Sequence, residues 1–186
     1  MRTFATALVV LGLMASPAFG QEPDPDDPLL PPVGTCAHED NAEAHHRLQR
    51  LSMHCLLDAL RERGELRRLR SSVDLRHSAT YKARRIADCK VFSHYPCGDR
   101  LASSFDQAGV TQRGRWLVGE NLAYGVAEDS SPRRILIKWL TSKTHRAVLA
   151  DERFTYSGIR RRRLKMKGAP TGSVIWVLHV GVPRGR

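Results

Sequence analysis

The sequence predicts an α+β fold, an α-β-α sandwich in which helices cover both faces of a small antiparallel sheet. Two stretches with apolar residues at helical spacing fill the first half of the folded region. Two β-rich runs close the chain, with Gly168-Ala169-Pro170-Thr171-Gly172 between them. A hairpin of that kind gives antiparallel pairing, and the helices must bury their stripes against it.

The first 20 residues read as a secretory signal. Arg2 supplies the positive start, Phe4 to Met14 is apolar but too short to span a bilayer, and Ala18-Phe19-Gly20 offers small residues for cleavage. Residues 21–33 follow as a Pro/Asp-rich flexible linker, in which five prolines and four acidic residues leave little to pack. Residues 34–183 then form a single domain with enough chain for one core. The product is expected to be secreted (extracellular or periplasmic), soluble after signal cleavage, and monomeric.

From Asn41 to Arg63, Leu48, Leu51, Cys55, Leu56, Ala59 and Leu60 fall at helical spacing, and Gly64 is a plausible stop. His45, His46 and His54 on this helix include no pair three or four residues apart, so they are assigned to a solvated face. Ser72 or Asp74 can cap a second helix with the stripe Leu75, Ala79, Ala83, Ile86 and Ala87. Its alanines let a sheet approach closely. Pro96 and Gly98 mark a turn after His94, and Arg100 to Ala108 reads as a short helix ended by Gly109.

Trp116-Leu117-Val118 is a short strand leading into Gly119-Glu120-Asn121. Ser131 caps a helix with Pro132 at its first position, burying Ile135, Leu136, Trp139 and Leu140. Thr144 is the expected cap of a short helix from His145 to Ala150. The last strands run from about Thr155 to Met166 and from Ser173 to Val182. Alternation sends Arg160, Arg161, Arg162 and Arg163 to opposite faces. They read as an edge strand guarded by charge or, with Lys165 and Lys167, as an anion-binding face.

Four cysteines in an exported chain imply two disulfides, with three possible connectivities. The local pairing, Cys36 with Cys55 and Cys89 with Cys97, is the expected one; the second bridge closes a loop around His94. A structural zinc on Cys89, His94 and Cys97 is the rival arrangement. The formal charge of +11 favours anionic envelope polymers, lipid head groups or acidic glycans as partners. Nucleic acid is excluded by scattered charge, few aromatics and no recognised motif.

The segments Phe92-Ser93-His94, Gly119-Glu120-Asn121-Leu122-Ala123-Tyr124-Gly125 and Trp139 to Leu149, in that order, resemble the CAP superfamily. This group comprises cysteine-rich secretory proteins, antigen-5 allergens, pathogenesis-related proteins and bacterial secreted relatives. The resemblance covers roughly Ala42 to Val182 and implies that His94, Glu120 and His145 line one open cavity. It departs from the pattern at Ser142, where many members carry a second acid, at Thr144, where a glycine is usual, and around His179 in the last strand.

Two imidazoles suit a weakly held Zn2+ or another divalent cation, so His94 and His145 are the expected metal ligands, with Glu120 binding directly or through water. No catalytic residue is assigned: Ser93 beside His94 forms no evident triad, and no nucleophile-elbow or zinc-protease motif occurs. The expected function is therefore binding of a metal and a small-molecule, lipid or anionic envelope ligand. A metal-dependent hydrolase of peptide or cell-wall bonds and a basic adhesive envelope protein are the alternatives.

Overall fold

Four strands, β1 (Arg70–Ser71), β2 (Trp116–Gly125), β3 (Tyr156–Arg163) and β4 (Val174–Pro183), lie side by side in the order β1-β3-β4-β2. The computed structural model describes residues 27–114, 116–164 and 169–183, so the secretory signal, Lys165 and Lys167 lie outside the described residues. β4 is central and antiparallel to both β2 and β3. It is buried from Val174 to Gly181, because protein covers both its faces. The antiparallel sheet gains one parallel fringe, where β1 pairs with β3 at Arg70–Tyr156 and Ser71–Ser157. Two residues are too short a run to leave a pattern in sequence.

Around the sheet stand α1 (His46–Arg63), α2 (Val73–Cys89), α3 (Ser103–Gln107), α4 (Pro132–Thr141) and α5 (Lys143–Leu149). Trp176, Leu178 and Val180 of β4 pack in one core with α1 and α4. Ile175 and Val177, on the other face, pack against Ala79, Ala83 and Ile86 of α2. The expected sandwich is thus formed. Gly158 shows how close α2 comes: a Cβ there would sit 2.1 Å from the backbone nitrogen of Arg76. Ser72 caps α2 by accepting from the Leu75 N–H, and Ser131 caps α4 ahead of Pro132, as anticipated.

α1 departs from expectation. It begins at His46 and buries Gln49, Ser52, Met53, Leu56, Leu57, Leu60 and Arg61, while Leu48 and Leu51 are 39% and 53% exposed. Leu56 and Leu60 belong to both candidate stripes, so spacing alone could not choose between them. Arg61 is buried because its guanidinium donates to the carbonyls of Arg67, Leu149, Asp151 and Phe154, tying α1 to the chain after α5. His45 and His46 are exposed, and His45 caps the helix through Nδ1. His54, assigned to a solvated face, is largely covered instead; burial, then Arg50, pulls its pKa down to about 4.

The linker also differs from expectation where it is described. From Asp27 onward it is docked, not loose. Leu29 and Leu30 pack on the main core, Asp27 pairs with Arg146 of α5, and Arg63 donates to the Pro28 carbonyl. Arg133 of α4 reaches the Pro31 and Pro32 carbonyls and the Glu39 carboxylate. Charged partners elsewhere in the chain hold a segment whose own composition favours disorder.

Candidate functional site

Glu120 sits within β2 at the edge of the sheet, because β2 runs unbroken through the whole Gly119–Gly125 motif and does not stop at Val118. Gly125 ends the motif where a Cβ would lie 2.0 Å from the Asp129 carbonyl oxygen, so the following turn demands glycine. Opposite Glu120 in the ladder is His179 of β4. The disulfides are the local pairs, Cys36–Cys55 and Cys89–Cys97. The second joins the two sulfurs that the rival zinc arrangement required, and it restrains the loop carrying His94.

The Glu120 carboxylate is only 1% exposed and fully engaged. His94 Nδ1 lies 2.6 Å from Oε1, His179 Nε2 lies 2.7 Å from Oε2, and the Lys82 ammonium stands 3.3 Å from Oε2. Burial opposes the charged carboxylate, but the His179 and His94 hydrogen bonds and the Lys82 charge outweigh it and hold Glu120 at about 2. Lys82 also donates to the His94 carbonyl at 2.7 Å, fixing that loop to α2. His179 Nδ1 meets the Ser78 hydroxyl at 2.6 Å. Burial lowers the His179 pKa against the pull of Glu120, which favours a neutral ring donating from Nε2; its Nδ1 then accepts the single hydroxyl proton of Ser78, in place of the Leu75 carbonyl 2.9 Å from that hydroxyl. Charge then balances as one carboxylate against one ammonium.

His94 is therefore held as the tautomer whose Nδ1–H donates to Glu120, with Nε2 as the free acceptor face. Its side chain is 38% exposed. Across from it, the His145 ring lies 6.1 Å away between centroids, tilted by 43°. Burial and the nearby His94 both lower the His145 pKa, keeping that ring neutral too. Asn121, next to Glu120, donates to the His145 carbonyl at 2.9 Å and so ties α5 to β2. Ser142, not Thr144, caps α5: its hydroxyl accepts from the His145 N–H.

His94, Glu120 and His145 are thus brought together, while Lys82, Ser78 and His179 complete the site unforeseen. Lys82 and Ser78 lie beside the α2 alanines, at the same four-residue spacing, where spacing alone reads them as the flank of the stripe. Two concavities of about 740 Å³ each lie elsewhere, one bordered by Glu39, Asp40 and Glu43, the other by Pro31, Arg63 and Arg133. Neither reaches the histidine pair.

Two imidazoles on one tetrahedral ion have centroids about 5 Å apart, so a small closure of the 6.1 Å pair would admit one. Among the described residues no third histidine, cysteine or carboxylate joins them as a ligand cluster. Both Glu120 oxygens are already taken, which suits an orienting role better than direct ligation. The donor set fits a zinc-class cation with open positions. The Ser93 hydroxyl accepts from the Tyr95 N–H at 3.0 Å, engaged in its own turn.

The model of the cysteine-rich secretory protein family, CAP, matches residues 56–179. No curated protein matches the chain in sequence. Among solved structures, an outer surface protein from Borrelia burgdorferi is similar with a TM-score of 0.63 and 18% identity, over 75% of this chain and 96% of that one. An extracellular protein containing an SCP domain from Bacillus anthracis gives 0.57 and 23% identity, over 72% of this chain and 40% of its own. A cysteine-rich secretory protein from Staphylococcus aureus gives 0.54 and 16%, over 74% and 40%. The chain therefore spans about two fifths of those last two proteins. These likenesses establish a shared fold, and among the described residues no helix is long and apolar enough to cross a membrane. With β2, β3, helices α2 to α5 and the first part of β4 inside the matched region, the chain belongs to the CAP family of cysteine-rich secretory proteins.

Proposed function

We propose that the His94–His145 pair is the divalent-cation site of a secreted binding protein, and that binding rather than turnover is its task. One observation carries this reading: Glu120 locks the His94 ring so that Nε2 is presented as an acceptor, 6.1 Å between centroids from the neutral ring of His145. Carboxylate-oriented imidazole is the usual support for a histidine that ligates metal. A bound cation would supply Lewis acidity toward an oxygen ligand at its open positions. The residues themselves hold the rings, exclude water from Glu120 through Lys82 and His179, and offer the exposed ring of Tyr95, 6.5 Å between centroids from His94, to the organic part of a ligand. Ser93 is turned into its own loop, which favours binding over covalent chemistry.

Titration calorimetry with zinc tests the reading. His94→Ala and His145→Ala are each expected to remove most of the binding, and Glu120→Gln to weaken it about 10–100-fold. His45→Ala leaves it unchanged. The cation is released as pH falls below about 6, because protonated imidazole has no lone pair to give. Equal affinity in wild type, His94→Ala and His145→Ala would overturn the site.

A further inference from the structure

The opposite edge of the sheet holds a second surface on which arginines gather, with Glu43 an acidic neighbour of Arg161. Beyond its two residues paired with β1, β3 continues from Gly158 to Arg163 with no strand on its outer side among the described residues. Arg160 and Arg162 project toward α2, where Arg76 and Arg84 are near enough, after burial, to lower the Arg160 affinity for its proton. Arg50 of α1 feels burial, then Arg76, Arg160 and Arg47 in the same way. Helices on both sides of the edge thus bring guanidinium groups to one place. The Nε atoms of Arg160 and Arg161 are buried with no hydrogen-bond acceptor. Like charges gathered at such an edge, with donors unanswered, leave a strong demand for oxyanions.

Apolar side chains accompany them. Leu51 and Leu48 share the exposed α1 face with Arg47 and Arg50, and Val73, one turn before Arg76 on α2, is 58% exposed. A soluble polyanion has no use for these three. A bilayer surface does: phosphates meet the arginines while leucine and valine enter the head-group boundary. We propose that the β3 edge, with Arg47, Arg50, Arg76, Arg160, Leu48 and Leu51, docks on the surface of an anionic phospholipid membrane. This surface is independent of the histidine pair, which lies by β2 at the far edge of the sheet.

The test is co-sedimentation of the protein from Gln21 onward, free of the apolar leader that would itself partition, with vesicles of phosphatidylcholine alone or mixed equally with phosphatidylglycerol. Wild type is expected to bind the anionic vesicles and not the neutral ones. The double variant Arg47→Gln/Arg76→Gln, both exposed positions, should lose roughly thirtyfold in partition, and Arg134→Gln on α4 should lose much less. Leu48→Ser/Leu51→Ser should remove the part of binding that survives high salt, where screening has weakened the charges. Circular dichroism confirms that each variant is folded. Equal binding to neutral and anionic vesicles, or unchanged binding by the arginine variant, overturns the proposal. So does binding of inorganic polyphosphate with no binding to anionic vesicles.

Discussion

The two edges of the sheet handle charge in opposite ways. Along β2, Glu120 is buried at the centre of a closed set in which Lys82, His94 and His179 satisfy its oxygens and Ser78 satisfies His179. Along β3, the arginines lie near one another at the surface, with Arg160 lowered by burial and by Arg162, Arg84 and Arg76. Burial decides the difference. A charge removed from water must be paired, or it costs several kcal/mol, whereas a half-exposed guanidinium is kept tolerable by solvent and salt. The first arrangement gives a site of fixed geometry, the second an adhesive surface with little demand on folding.

The largest expected effect breaks the closed edge. Lys82→Met removes the ammonium facing Glu120 and leaves a buried carboxylate to the rings of His94 and His179. A loss of about 3–5 kcal/mol is expected in chemical denaturation, with the Glu120 pKa raised. A loss below about 1 kcal/mol, of the size seen for exposed pairs, would mean that the buried edge is no different in kind from the arginine edge.

An intermediate effect comes from pH. His179 is held neutral in the fold, while the unfolded chain takes up a proton below its ordinary 6.5. Stability therefore falls as pH drops below that value, because the unfolded state binds the extra proton. Glu120 adds a second loss between its ordinary 4.5 and about 2. His54, lowered to about 4, contributes to the first loss from α1, and His145, lowered by burial and by His94, contributes from α5, so His54→Gln removes the α1 share and leaves that of His179 and His145. Denaturation midpoints from pH 7 downward should show both steps. A flat profile across this range in the His54→Gln variant would remove the account of the β2 edge.

The smallest effect belongs to the other edge. Arg162→Gln should change stability by no more than about 0.5 kcal/mol. Its sign should be favourable at low salt, since a repulsion with Arg160 is relieved, and the gain should vanish at high salt. A loss of several kcal/mol would show instead that the arginine packs as a structural member of the strand.

The sequence made one edge far more legible than the other. The α2 stripe, the Ser131-Pro132 start of α4, the hairpin and both disulfides follow from local rules of spacing, capping and cysteine pairing. The convergence of His94, Glu120 and His145 came only through family resemblance, because it depends on a loop, a strand and a helix meeting in space. Lys82 was hidden by its position: a lysine beside Ala79 and Ala83 reads as the solvated flank of a stripe until Glu120 is placed opposite it. Leu48 and Leu51 misled for the converse reason. Leucines at helical spacing announce a core, yet a helix with two candidate stripes turns whichever one its neighbours can cover, and α4 and β4 cover Leu56, Leu57 and Leu60. The docked linker escaped because its composition is judged locally while Arg133 and Arg146, its partners, stand more than a hundred residues away.

That docked segment gives the point of N-terminal trimming a direct bearing on the proposed cation site. Asp27 grips Arg146, the residue after His145, from a position shortly after the expected cleavage at Gln21. A protease that cut a few residues further in, beyond Asp27, would remove one tie on α5 beside His145 while leaving the Asn121 bond, both disulfides and the sheet in place. Maturation and ligand capture would then be coupled through a single carboxylate, and the length of the processed terminus would set how firmly the second imidazole is held.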